Sequence, residues 1–228
     1  MNEPCKIIRW HSFSSADEVR DQTLERIRRT AAEAIALRGV FHIVLAGGTT
    51  PRAVYQTLCN EAAQWDKWQV WFGDERCLPP ADPERNSRMA RDAWLDQVPI
   101  PAVQVHDILA ESDPEAGART YAAALEGIAE FDLVLLGLGE DGHTASLFPG
   151  HEWGEAPGSP TVLPVHGAPK PPPHRISLSA QRLSRARQVL FLVTGEGKRE
   201  AVMRWQAGER IPASAICPPG GVDVLLNY

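Results

Sequence analysis

Short apolar runs rich in β-branched and aromatic residues return along the 228 residues of this chain, at positions 6–10, 40–46, 69–72, 132–138 and 189–194. Runs of this kind read as buried strands. Between them lie stretches with helix start signals. Ser15-Ala16-Asp17-Glu18 opens a helix expected to run to Gly39, and Ser112-Asp113-Pro114-Glu115 opens another towards Gly127; both are capping boxes. Strand and helix alternate across nearly the whole chain, which predicts an α/β fold with a mostly parallel sheet flanked by helices on both faces. The length sits at the upper end of what one α/β domain holds, so a single domain over residues 1–228 is expected.

Ligands of such folds bind in the crevice at the carboxyl ends of the strands. Gly47-Gly48-Thr49-Thr50-Pro51 follows the second run and Gly73-Asp74-Glu75-Arg76 the third. Gly139-Glu140-Asp141-Gly142-His143 follows the fourth and Gly195-Glu196-Gly197-Lys198 the fifth. Four strand ends carry glycine together with polar or charged groups, and on one rim they make one site.

Composition narrows the function classes. A net charge of −6 argues against a nucleic-acid surface. It also requires that an anionic substrate be met by a local cluster of Arg, Lys and backbone N–H groups acting against the field of the whole molecule. The longest apolar run, around residues 134–138, is far short of the roughly 20 residues of a membrane span. The polar start Met1-Asn2-Glu3-Pro4-Cys5-Lys6 lacks the pattern of a secretory signal, so the cytoplasm is the expected address. Cys5, Cys59, Cys77 and Cys217 show no C-x-x-C spacing and read as free thiols, with neither a zinc site nor a disulfide framework. No feature calls for an obligate protein partner.

Each motif has a chemical reading and a plainer one. The glycines before Thr50 and Pro51, read as helix cap and first helical residue, offer free N–H groups and a positive dipole end, a seat for phosphate; the alternative is a tight strand-to-helix turn. Asp74-Glu75-Arg76 reads either as a solvated turn or as an arginine gripping an anion with an acidic neighbour orienting it. Gly137-Leu138-Gly139-Glu140-Asp141-Gly142 matches the dinucleotide fingerprint, but Pro149-Gly150 stops the segment where that fingerprint needs a full crossover helix. The glycines are better explained as presenting His143, whose tautomer Asp141 could fix.

His11, His42, His106, His151, His166 and His174 read as structural or surface residues. No H-x-x-x-H spacing or carboxylate set completes a metal site around His143. The lack of a G-x-S-x-G elbow leaves Ser146 structural. Lys198, at a helix start after a buried strand, is a second cation for a phosphate. Residues 155–174, crowded with Pro and Gly, read as a surface loop of extended character, with a lid bordering the crevice as the alternative.

In order and spacing, Gly47-Gly48-Thr49-Thr50-Pro51, Asp74-Glu75-Arg76, the segment 131–150, Arg175-Ile176-Ser177-Leu178-Ser179 and Thr194-Gly195-Glu196-Gly197-Lys198 resemble the 6-phosphogluconolactonases. The likeness runs from about Val40 to Ser214, and its middle segment is the most specific part. It implies a Rossmann-like, NagB-like fold and hydrolysis of 6-phosphogluconolactone to 6-phosphogluconate in the pentose phosphate pathway, with no metal or redox cofactor. It further implies that His143 is the base, that Asp74 is a second member of the catalytic site, and that Arg76, Lys198 and the loop Gly47, Gly48 and Thr49 hold the substrate or its phosphate. Arg85-Asn86 departs from the family's frequent Ser-Asn at its first residue only; Asn86 is kept, and the resemblance implies a local structural role for it.

The chemistry agrees. A neutral His143 takes a proton from water as it attacks the lactone carbonyl, and the oxyanion needs donors already in place. A phosphate clamp remote from the bond broken serves orientation. The related glucosamine-6-phosphate deaminases carry Asn-Glu-Pro where this chain has Leu147-Phe148-Pro149, and Tyr where it has Arg76. The missing glutamate places deamination below lactone hydrolysis. A sensor that binds sugar phosphate without turnover ranks lowest, because both the base and the cations are present.

Overall fold

A computed structural model describes residues 7–111 and 113–228. In chain order the elements are β1 (Ile8–Ser12), α1 (Ala16–Arg38), β2 (Phe41–Leu45), α2 (Thr49–Leu58), β3 (Trp68–Phe72), β4 (Asp74–Arg76), α3 (Asn86–Ala93) and β5 (Val105–His106). They continue with α4 (Pro114–Ala124), β6 (Phe131–Gly137), β7 (Val162–Val165), β8 (Arg175–Leu178), α5 (Ala180–Ser184), β9 (Ala186–Thr194), α6 (Arg199–Gln206) and β10 (Val222–Asn227). All five apolar runs are strands. The first is shifted to Ile8–Ser12, while Lys6, like Cys5, lies outside the described residues.

Helix α1 follows its signals closely. The Ser15 side chain accepts the Glu18 N–H, and Gly39 at φ 75° closes the helix by donating its N–H to the Ile35 carbonyl. Val19, Thr23, Leu24, Ile27, Ala31 and Ala34 form its buried stripe. At α4 the cap is Asp113, whose carboxylate accepts the Glu115 N–H 3.0 Å away; Ser112, the residue expected to open that helix, lies outside the described residues.

The main sheet has seven strands in the order β1-β10-β9-β6-β2-β3-β5, every neighbouring pair parallel. Helices pack around it, as the strand–helix alternation predicts. Phe131 to Leu136 in β6 are buried without interruption, as expected of a central parallel strand. The one carboxylate in that run, Asp132, is satisfied by the Arg38 guanidinium at 2.7 Å and the His42 N–H at 2.8 Å. A tryptophan cluster fills one end of the core, with Trp68 edge-on to Phe41 at 4.7 Å and within 5.8 Å of Trp94. Each such buried aromatic contributes about 1.5–3 kcal/mol relative to exposure.

Two readings are corrected. Asp74-Glu75-Arg76 is not a turn but strand β4, and residues 155–174 contain strand β7 rather than loop alone. With β8 these strands form a second, antiparallel sheet in the order β4-β8-β7.

The topology fixes where a site can form. From β2 the chain steps to β3 on one side, and from β6 to β9 on the other. The carboxyl ends of β2 and β6 are therefore the switch point at which a crevice opens. Only Ile43–Leu133 and Val44–Val134 are in register between these strands, and beyond them the ends are unpaired with each other.

Candidate active site

The crevice lies at that switch point. It is lined by Gly47 and Gly48 after β2, by Gly73, Asp74 and Arg76 after β3, by Gly139 and His143 after β6, and by Lys198 after β9. The four strand ends do converge. Thr49 opens α2 beside the crevice but is not among its lining residues, and Asn86 and Arg175, for which no site role was expected, are.

His143 is presented by the loop after β6. Its Nδ1 is 2.5 Å from Asp141 Oδ1, so Nδ1–H donates to the carboxylate and the lone pair is left on Nε2. Gly139 makes this possible, because a Cβ there would lie 1.9 Å from Nδ1. The imidazole packs on Phe148 with ring centroids 4.7 Å apart. Burial pushes the His143 pKa below its ordinary value, outweighing the Asp141 hydrogen bond, and the Lys170 charge acts in the same direction as burial. Burial pushes the Asp141 carboxyl up, but its bonds to His143 and the charges of His143 and Lys170 hold it below the usual carboxylate range. The pair is thus a carboxylate beside a neutral imidazole near neutral pH. Of the seven histidines, His143 alone lines the crevice among the described residues.

The backbone after His143 is unusual. Ala145, at φ 47°, is the one non-glycine residue in the left-handed region among the described residues, and it lines the crevice. Thr144 ties this turn down by donating its hydroxyl to the Gly137 carbonyl at 2.9 Å.

Asp74 is buried, and both its oxygens are occupied. Asn86 Nδ2 donates to Oδ1 at 3.0 Å and the Ser146 hydroxyl to Oδ2 at 2.5 Å. It thereby joins the start of α3 to the His143 loop, which makes Ser146 a structural group as expected. Asn86 is pressed so closely against the first glycine loop that a Cβ on Gly47 would lie 2.0 Å from Asn86 Oδ1.

Glu75 does not orient the Arg76 guanidinium. Its carboxylate accepts the backbone N–H groups of Arg76, Asn86 and Ser87, each at 2.8 Å, and so caps α3, whose own N-cap residue Arg85 supplies no side-chain bond. Arg85, in the family's frequent serine position, is a buried brace: its guanidinium lies 3.4 Å from Glu75 and donates to the Ile108 carbonyl at 2.7 Å. Arg76 donates to the Glu84 carbonyl. Thr50 is helical and does not cap; its hydroxyl meets that of Thr194 at 2.5 Å, tying α2 to the end of β9.

Arg175, at the start of β8, is 4% exposed and reaches the crevice wall. Its signal in the sequence was a charge opening the alternating Arg175-Ile176-Ser177-Leu178. Among the described residues no group of three or more His, Cys, Asp or Glu side chains could hold a metal ion, and Cys59, Cys77 and Cys217 are free thiols.

The family profile described as glucosamine-6-phosphate isomerases/6-phosphogluconolactonase matches residues 14–225. The chain belongs to this family. Among its relatives, the 6-phosphogluconolactonase of Synechocystis sp. is 39% identical over 220 residues, covering 91% of this chain and 90% of the relative. That of Streptomyces coelicolor is 40% identical over 195 residues, covering 78% and 74%. Among solved structures, the devB protein superimposes with a TM-score of 0.85 at 31% identity, covering 96% of each chain. The family match takes in every residue of the crevice described above.

Proposed function

We propose that this protein hydrolyses 6-phosphogluconolactone to 6-phosphogluconate, with His143 as general base. The observation that carries the reading is the Asp141–His143 pair, a neutral imidazole with its accepting nitrogen free, in the same crevice as Arg76 and Lys198. The 6-phosphogluconolactonase relatives, 39–40% identical, supply the substrate class. Water attacks the lactone carbonyl as Nε2 takes its proton. Arg76, Lys198 and the loop of Gly47, Gly48 and Thr49 hold the phosphate away from the bond broken, so their binding energy orients the lactone. Asp74 is the second carboxylate of the site. With both oxygens already accepting hydrogen bonds, it positions Asn86 and the His143 loop. Deamination is not favoured, because Phe148, fully buried against the imidazole, occupies the position of the deaminases' glutamate. The reaction assigns the chain to the pentose phosphate pathway and is in keeping with a cytoplasmic address; among the described residues no helix is long and apolar enough to cross a membrane.

The test is a coupled assay in which the lactone is generated in place and its loss is followed against the spontaneous background. His143→Asn should lower kcat by about 10²–10⁴-fold with little change in KM. The wild-type rate should fall at acid pH as the imidazole protonates. Burial disfavours the imidazolium, so the acid limb should lie below the ordinary imidazole pKa, and it should be missing in the mutant. A mutant that melts like wild type and turns over normally would remove His143 from the mechanism.

A further inference from the structure

Strands β4 and β8 pair antiparallel with Arg76 directly opposite Arg175, so the two side chains leave the small sheet on one face, and both residues line the crevice. Like charges opposite one another in a ladder repel. The neighbouring carboxylates do not relieve them. Glu75 is held by Arg85 at 3.4 Å and by the N–H groups that open α3, and both oxygens of Asp74 accept from Asn86 and Ser146. The donors in use go to carbonyl oxygens instead. Arg76 donates through Nη1 to Glu84, and Arg175 through Nε to Pro172 at 3.2 Å and through Nη2 to Lys170 at 3.1 Å and Pro171 at 2.9 Å. A proline run has no N–H groups of its own to build a turn with, so pinning this loop accounts for two of the three Arg175 nitrogens. Nη1 is left over. Among the described residues it meets no acceptor, yet it is not one of the polar atoms sealed inside without a partner, as Arg76 Nε is. Arg175 as a whole is 4% exposed, and what surface it keeps opens on the crevice. Its central carbon lies 5.3 Å from the Phe148 ring, the same ring that packs on His143.

Resting on the lactonase reading, we propose that Arg175 is a specificity-determining residue, which shares the substrate phosphate with Arg76 by donating to it from Nη1. The phosphate is the permanent anion of this substrate, and an anion set between two guanidinium groups turns their repulsion into attraction. The carbonyl oxygen carries charge only in the transition state, so it does not answer a repulsion already present in the resting protein. Because Nε and Nη2 are held by the proline loop, Nη1 is aimed before the substrate arrives, and little side-chain freedom is lost on binding. A planar fork is needed for this double duty, since a lysine ammonium is a point charge on a flexible stem. The loop of residues 166–174 thereby takes part in substrate choice through its carbonyls, which set the direction of the guanidinium.

The experiment compares wild type, Arg175→Met and Arg175→Lys on 6-phosphogluconolactone and on unphosphorylated gluconolactone, with a thermal melt of each protein and a titration with inorganic phosphate followed by amide NMR. Arg175→Met should lower kcat/KM for the phosphorylated lactone by about 10–100-fold, the factor of one charge-assisted hydrogen bond, and for gluconolactone by no more than about threefold. Affinity for inorganic phosphate should fall with the first of these. Arg175→Lys keeps the charge without the fork and should lie between wild type and Arg175→Met. If Arg175→Met fails to fold, Arg175→Lys carries the comparison, because the readout is the ratio between the two lactones, which a loosened loop alone does not move. Equal losses on both lactones overturn the proposal, since Arg175 would then only anchor the loop or serve the carbonyl. An unchanged rate on the phosphorylated lactone overturns it as well. If wild type accelerates neither lactone, it is the lactonase reading that fails, and the phosphate titration still decides on Arg175: no binding by wild type, or equal affinity in wild type and Arg175→Lys, refutes its role.

Discussion

A Cβ on Gly139 would lie 1.9 Å from His143 Nδ1 and 2.6 Å from Asp141 Oδ1, inside the hydrogen bond that fixes the imidazole. Gly139→Ala should therefore leave the sheet intact and separate the pair. With Nδ1 released, the neutral ring can carry its proton on either nitrogen and rotate away from the attacking water. The expected outcome is a fall in kcat of about 10²-fold, the lower end of what a general base contributes, with KM for the phosphorylated lactone nearly unchanged. Steady-state kinetics beside ring-nitrogen NMR would check it, and a normal rate with the Nδ1–Asp141 bond retained would show that the loop relaxes around the methyl group. Much of this geometry was legible in the sequence, since glycine, aspartate and histidine after a buried strand already suggest a presented imidazole. Asn86 and Arg175 were not legible, because they come from elements adjacent to the crevice only in three dimensions.

Glu75 shows the limit at the next scale. In the sequence it is one of three consecutive charges after a strand, and nothing local says that it caps a helix beginning at Asn86. A carboxylate at the positive end of a helix is favourable, and this one is fully buried with three N–H donors and the Arg85 guanidinium around it. Glu75→Gln keeps the shape but replaces an accepting oxygen with a donor among the N–H groups of α3, while Arg85 keeps Glu111 at 3.3 Å and the Ile108 carbonyl at 2.7 Å. It should cost about 1–3 kcal/mol, the penalty of a buried donor left without its acceptor, visible as a lower urea midpoint. An unchanged midpoint would show that the start of α3 does not depend on this carboxylate. The strands divide in the same way. The continuous apolar runs were legible because a central parallel strand is apolar on both faces. Strand β10 was missed because Asp223 interrupts it, a charge accommodated by Arg9 at 2.8 Å and His11 at 2.7 Å from the neighbouring strand. Strands β4, β5 and β7 are two to four residues long and carry little periodicity to detect.

For the whole molecule we propose a single domain, since one cluster of buried apolar side chains runs from Val19 in α1 to Leu226 in β10 and includes both sheets. Equilibrium unfolding in urea should then give coincident transitions by tryptophan fluorescence and by far-ultraviolet circular dichroism. Two separated transitions would divide the chain. The strand order has a consequence of a different kind. Strand β1 sits at the edge of the sheet and its one neighbour there is β10, with Ile8 opposite Val222. On the ribosome the earliest strand therefore emerges long before its partner. At about 5–20 residues per second the delay is on the order of ten to forty seconds. Through that interval β1 has no native edge to join, and the nascent chain is open to holdase chaperones and to the wrong neighbours alike. Translation rate, rather than any contact in the finished fold, sets how long that exposure lasts.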